Sequence, residues 1–278
     1  MVPNALFTLF GNGVYLYGIF IAVGILACLY VFYLYTKKKG MPQKVQDFVL
    51  IVALLSIAIG FLFAKLFQAV YNFIETGEFN FYNAGITVMG GLIGGAGAFL
   101  LFYFVGGKLY FKKEEKGMHI KHFNTVFLVA PICICIAHAF GRVGCLMAGC
   151  CHGKYLGSTY VTGGILMDPH DGPKGYYVPT QLYEALFLFA LFAVLSILYF
   201  KRCNIIMAIY LAGYGIWRFI IEFLRTDARG GFVGGLSPSQ WQSFIFLGIA
   251  IVLVVFYVIK KIPLFFKKKE WEYSAKND

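Results

Sequence analysis

Two stretches of this chain hold residues that can do chemistry. The first is Phe140-Gly141-Arg142-Val143-Gly144-Cys145-Leu146-Met147-Ala148-Gly149-Cys150-Cys151-His152-Gly153, where an arginine, four glycines, three cysteines and a histidine crowd the end of an apolar run. The second carries Tyr214, Arg218, Glu222 and Arg225 at spacings of four, four and three, which puts all four on one stripe of a helix. Guanidinium forks suit phosphate, so the chemistry implied is binding of an anion and stabilisation of charge that develops on it. The cysteines leave a metal, a disulfide or plain packing open. Their spacing matches no standard zinc arrangement, and adjacent Cys150 and Cys151 do not easily ligate one ion in ordinary geometry. No metal and no cofactor is therefore expected. A disulfide involving Cys145 ranks above metal if the segment lies outside the cytoplasm, and packing above both for at least one of the three.

These residues must be held by something, and composition says what. Of 278 residues, 60% are hydrophobic, 19% aromatic and only 13% charged, with a mean hydropathy of +0.74. A soluble domain would carry about a quarter charged residues, so the chain is an integral membrane protein. The net charge of +11 does not point to nucleic acid, because the basic residues cluster between apolar runs. Met1 to Thr8 carries no basic residue, so the first run reads as a retained span and not a cleaved signal.

Seven runs approach the roughly 20 residues a span needs: Val14–Tyr35, Gln46–Val70, Gly85–Val105, Phe123–Phe140, Thr180–Phe200, Asn204–Leu224 and Trp241–Ile259. The fourth contains Pro131, a candidate kink. Lysines and arginines follow the first, third, fifth and seventh runs, whereas Tyr71–Asn83 has none and Gly141–Pro179 has three. The positive-inside rule then gives an all-α protein of seven transmembrane helices, N-terminus outside and C-terminus cytoplasmic. It reads as a single domain over residues 1–278, with an extracytoplasmic loop region at 141–179 forming a cap or lid.

Ionisable groups inside spans face a cavity, a partner or a substrate by default. This topology brings His138 and Arg142, Gln181, Tyr183 and Glu184, Tyr214, Arg218, Glu222 and Arg225, Tyr17, Lys65 and the glycines Gly90, Gly91, Gly94 and Gly95 to one level, near the outer leaflet. Structural ion pairing explains Arg218 with Glu222 alone, and close helix packing explains the glycines. The excess of positive charge at that level favours a phospholipid headgroup.

In four blocks the chain resembles the prolipoprotein diacylglyceryl transferase family of bacterial inner-membrane enzymes. They are Tyr17-Gly18, Gly90-Gly91-Leu92-Ile93-Gly94, the Gly141-Arg142-x-Gly144 start with its later Gly149 and Gly153, and Pro179-Thr180-Gln181-Leu182-Tyr183-Glu184 followed by Gly213 to Arg225. The resemblance implies transfer of diacylglyceryl from phosphatidylglycerol to the lipobox cysteine of prolipoprotein signal peptides, releasing glycerol phosphate, at a site facing the outer leaflet of the bacterial inner membrane. It assigns Arg142 to the lipid phosphate, Arg218 to the leaving phosphate and Glu222 to orienting Arg218. Tyr17, Gly90, Gly91, Gly94, Gly149, Gly153, Gln181, Tyr183, Glu184, Tyr214 and Arg225 would line the substrate site.

The chain departs from its relatives at Met89 and Val178, where the family has histidines, and at Cys145, Ala148 and Cys150. A base for the acceptor thiol is then His138, His152 or Glu222, unless the thiol's own ionisation suffices. Two alternatives keep the lipid: a paralogue with another acceptor, or a non-catalytic phospholipid-binding or transport protein.

Overall fold

The computed structural model describes residues 7–9, 12–82, 84–169, 172–225 and 235–265. A chain in hydrocarbon satisfies its backbone internally, so apolar runs become helices. Among the described residues they are α1 Leu16–Lys38, α2 Gln43–Thr76, α3 Val88–Leu101, α4 Met118–Ala148, α5 Thr180–Phe200, α6 Ile206–Glu222 and α7 Pro238–Ile259. A π-helical turn, Phe102–Gly106, and a last turn, Gly107–Tyr110, prolong α3 into a span of Val88–Tyr110.

Among the described residues, six helices are long and apolar enough to cross a membrane. The sixth run of the sequence reading, α6, has 17 residues, roughly 26 Å at about 1.5 Å per residue against a hydrocarbon core of about 30 Å. It stops because the chain turns at Phe223 and Leu224, and Arg225 then pairs by its backbone with Gly153. Pro131 does not end α4, which runs 31 residues through it. α7 begins at a capping box: Ser237 accepts from the Gln240 backbone N–H while the Gln240 side chain accepts from that of Ser237.

The chain forms two compact units. One holds Thr36–Val126. Within it α2 and α3 pack through small residues: a side chain at Gly90 would come within 2.7 Å of the Phe63 carbonyl and the Phe67 Cβ, and one at Gly94 would collide with Phe63. Gly91 meets Ala64. The other unit holds the described residues up to Tyr35 and from Phe127 to Phe265. There α1 packs on α4 at Gly144, whose added Cβ would lie 3.2 Å from the Tyr17 carbonyl.

Residues 141–148 belong to α4, so the loop region expected at 141–179 begins only after Ala148; its described residues carry a small sheet, the cap. β3 Tyr155–Gly157, β4 Ile165–Met167 and β5 Gly175–Tyr177 form an antiparallel sheet with β5 central. A backbone hairpin, β1 Phe7–Leu9 with β2 Asn12–Val14, precedes α1. Leu146, Met167 and Tyr177 form the cap's buried core. These strands supplement the expected all-α architecture.

Candidate functional site

The centre of the site is Glu184, one turn into α5 and 0% exposed. A carboxylate that deep must be paired. Four side chains converge on it. Arg142 Nε of α4 lies 3.0 Å from Oε2, as an ion pair without hydrogen-bond alignment. Arg225 Nη1 lies 3.9 Å from the same oxygen. The Tyr214 hydroxyl of α6 donates to Oε1 at 3.0 Å, and His138 Nε2 stands 3.7 Å from it.

Arg218 adds the third guanidinium. Its Nη2 is 2.8 Å from Glu222 Oε2, one turn on, and donates to Ser239 Oγ of α7 at 2.5 Å. Its Nη1 is buried without a hydrogen-bond partner among the described residues. All three guanidiniums are within electrostatic reach of Glu184. Among the described residues the cluster therefore sets three arginines beside two carboxylates, and the buried Arg218 Nη1 meets no acceptor. That arrangement suits an anion with several oxygens.

The segment after Arg142 folds by its own chemistry. Gly149 takes a left-handed φ of 69°, which suits glycine. Its N–H donates to the Leu146 carbonyl, and the Cys150 N–H reaches back to the Cys145 carbonyl, both at 3.2 Å. This is a Schellman motif, which brings the residues in the places of Cys145 and Cys150 together. Cys151 is also left-handed, at φ 63°, costing on the order of 1–3 kcal/mol for a residue with a side chain. The fold meets that cost by anchoring the turn to α5: Thr180 Oγ1 donates to the Cys151 carbonyl at 2.9 Å, and Gln181 Nε2 to the Cys150 carbonyl at 2.6 Å.

All seven cysteines are free thiols, and the sulfurs of Cys145, Cys150 and Cys151 lie within 4.8 Å of one another. The expectation of no metal assumed ordinary geometry at 150–151; the left-handed Cys151 removes that premise. Hydrogen bonds from Cys145 and Cys150, followed by the guanidiniums of Arg225 and Arg142, hold the Cys151 thiol well below the ordinary range. The Cys150 thiol is pushed up by its hydrogen bonds with Cys145 and Cys151.

Arg142, Arg218, Glu222, Glu184, Tyr214 and Arg225 therefore come together. Tyr17 is in electrostatic reach of Arg142 and the three cysteines. Gly149 and Gly153 act through backbone: a side chain at Gly153 would collide with the Leu224 carbonyl. Gln181 holds the turn and does not line the charge cluster. Tyr183 is half-buried about 100° around α5 from Glu184. Gly90, Gly91 and Gly94 are occupied with helix packing in the other unit, where Lys65 lies over the Phe81 ring at 5.3 Å. Sequence reading missed Ser239. Its signal was a polar residue in the first turn of the last span. It also missed Glu184 as the hub, having placed it only among the residues that would line the substrate site.

A family model described as prolipoprotein diacylglyceryl transferase matches residues 4–256. A Clostridium tetani (strain Massachusetts / E88) protein named phosphatidylglycerol–prolipoprotein diacylglyceryl transferase is 33% identical over 256 residues, covering 88% of this chain and 94% of that protein. A protein of the same name from Streptococcus pneumoniae (strain ATCC 700669 / Spain 23F-1) is 32% identical over 239 residues, covering 84% and 86%. With the match over most of its length and the arginine-rich site in place, this chain belongs to the prolipoprotein diacylglyceryl transferase family.

Proposed function

We propose that the protein transfers a diacylglyceryl group from phosphatidylglycerol to the lipobox cysteine of prolipoproteins, the first step in their maturation, and releases glycerol phosphate. It does so in the bacterial cytoplasmic membrane, with the N-terminus outside, the C-terminus inside and the charge cluster at the outer leaflet. One observation carries this most: three arginines, Arg142, Arg218 and Arg225, gather around Glu184 and Glu222, and the buried Arg218 Nη1 has no hydrogen-bond partner among the described residues. A phosphodiester monoanion supplies the missing charge and acceptors. The relatives' names supply the lipid and the protein acceptor.

In this mechanism Arg142 binds the lipid phosphate, and Glu184 keeps Arg142 and Arg225 in place while Tyr214 orients Glu184. The acceptor sulfur attacks the glycerol carbon that bears the phosphate ester. A C–S bond forms, the C–O bond breaks, and negative charge grows on the departing phosphate. Arg218, aligned by Glu222 and Ser239, meets that charge; fixed donors aimed at developing charge lower the barrier because they need no reorganisation. Tyr17 and Tyr183 flank the lipid. Gly90, Gly91 and Gly94 contribute by letting α2 and α3 pack closely, and Gly149, Gly153 and Gln181 by fixing the turn after α4.

The test is direct. Purified protein in phosphatidylglycerol nanodiscs with a lipobox peptide should yield a diacylglyceryl thioether by mass spectrometry. Arg142→Ala and Arg218→Ala should each lower the rate about 100-fold or more. Binding of lipid without thioether, where an authentic transferase turns over, would leave a lipid-binding protein in its place.

A further inference from the structure

We propose that Cys145, Cys150 and Cys151 form a three-thiolate site for a thiophilic divalent cation of the zinc class, whose fourth position takes the acceptor thiol. The catalytic half of this inference rests on the transferase reading; the binding half does not.

The geometry is specific. The Schellman turn at Gly149 folds Cys150 over Cys145, and the left-handed backbone of Cys151 turns its side chain toward the same point. The three sulfurs lie within 4.8 Å of one another. Zinc–sulfur bonds of about 2.3 Å in a tetrahedron separate sulfurs by about 3.8 Å, so at most ~1 Å of closure is needed. A sulfur-only set selects thiophilic ions over magnesium or calcium. Three protein ligands with one open position is the catalytic pattern; structural sites use four. Arg142 and Arg225 stand in electrostatic reach of Cys151 and offset the excess negative charge of three thiolates on a divalent ion. Thr180 and Gln181 hold the strained turn from α5, so the thiols are positioned by the fold.

The chemistry answers a need of the site. An acceptor thiol must lose its proton before its sulfur can attack. Both carboxylates at the site are paired with arginines, His138 faces Glu184, and His152 is buried with its Nδ1 3.0 Å from the Gly153 carbonyl. A divalent ion solves this without a base, because a coordinated thiol is deprotonated outright. The proton leaves to solvent when the acceptor binds. The metal-bound sulfur then displaces the phosphate ester oxygen at the glycerol carbon, the electron pair of the broken C–O bond leaves with glycerol phosphate as its dianion, and the neutral thioether dissociates from the ion. Charge balances: one thiol and one phosphodiester monoanion give one thioether, one phosphate dianion and one proton.

The experiment uses the full chain in phosphatidylglycerol nanodiscs, reduced with a phosphine and loaded with zinc or cobalt(II). Elemental analysis should find one ion per chain, and zinc should protect three thiols from alkylation. Cobalt should give thiolate charge-transfer absorption that shifts with a lipobox peptide and not with its Cys→Ser version. Cys151→Ser should weaken binding 100-fold or more; the absorption and protection in the unmutated chain do not depend on how that variant folds. An ion-free chain with three reactive thiols, or a disulfide between two of them after loading, overturns the site. A chelator should abolish transfer and zinc restore it. Full transfer after metal removal overturns the catalytic role and leaves the transferase standing. Cobalt absorption without transfer under any loading does the reverse: the binding site holds and the transferase reading fails.

Discussion

Neutralising the hub carboxylate with Glu184→Gln should destabilise the protein more than any other single isosteric change at the site. The glutamate is fully buried, with Arg142 at 3.0 Å and Arg225 at 3.9 Å. At an effective dielectric constant near 20, those separations correspond to gross attractions of about 5.5 and about 4 kcal/mol. Desolvation offsets part of this, and breaking a buried pair costs about 3–5 kcal/mol because the remaining charge stays buried. Glutamine keeps an acceptor for the Tyr214 hydroxyl, so the change isolates the charge. The expected loss lowers Tm by about 10 °C, read by tryptophan fluorescence in nanodiscs. Trp217, stacked at 4.4 Å on Phe187 of α5, reports on the α5–α6 contact. Adding Arg142→Gln should recover part of the loss, with a coupling of about 1–3 kcal/mol. A loss below about 1 kcal/mol, or strict additivity in the double variant, refutes Glu184 as the charge hub.

Three further outcomes follow from single contacts. Ser239→Ala removes the hydroxyl that accepts from Arg218; a hydrogen bond to a charged group is worth about 1.5–3 kcal/mol, so Tm should fall by several degrees, and thioether formation by the folded protein should slow by about 10-fold or more. Gly153→Ala drives a methyl into the Leu224 carbonyl and should cost about 1–3 kcal/mol by thermal unfolding, since a backbone carbonyl cannot rotate away. Ser237→Ala breaks the capping box of α7 and should cost about 1 kcal/mol by the same measurement, with slower transfer only through Arg218.

Much of the scaffold was legible. Residues Thr180–Phe200 were delimited to the residue, because proline stands before the run and a basic pair after it. α4 ran longer at both ends than its apolar stretch, since polar residues such as His119 and His122 are buried there. α6 ran shorter, since the turn after Glu222 is set by pairing with Gly153. The Tyr214, Arg218 and Glu222 stripe was readable because helical spacing is a local property, but Arg225, expected on the same stripe, lies past the end of α6; the glycines of α3, read both as packing residues and as lining the substrate site, pack against α2.

The sequence by itself determined the membrane class, the run of helices and the residues that could meet an anion, because hydropathy, period and residue chemistry are carried by neighbours along the chain. Tertiary structure alone decided which acid serves which arginine. Arg142, Glu184 and Arg225 lie on separate elements, and only their packing puts them within 4 Å. It also decided where the cysteines sit: cysteine has no preference for a left-handed backbone, so nothing local announces the φ of Cys151, whose turn Thr180 and Gln181 hold from another helix.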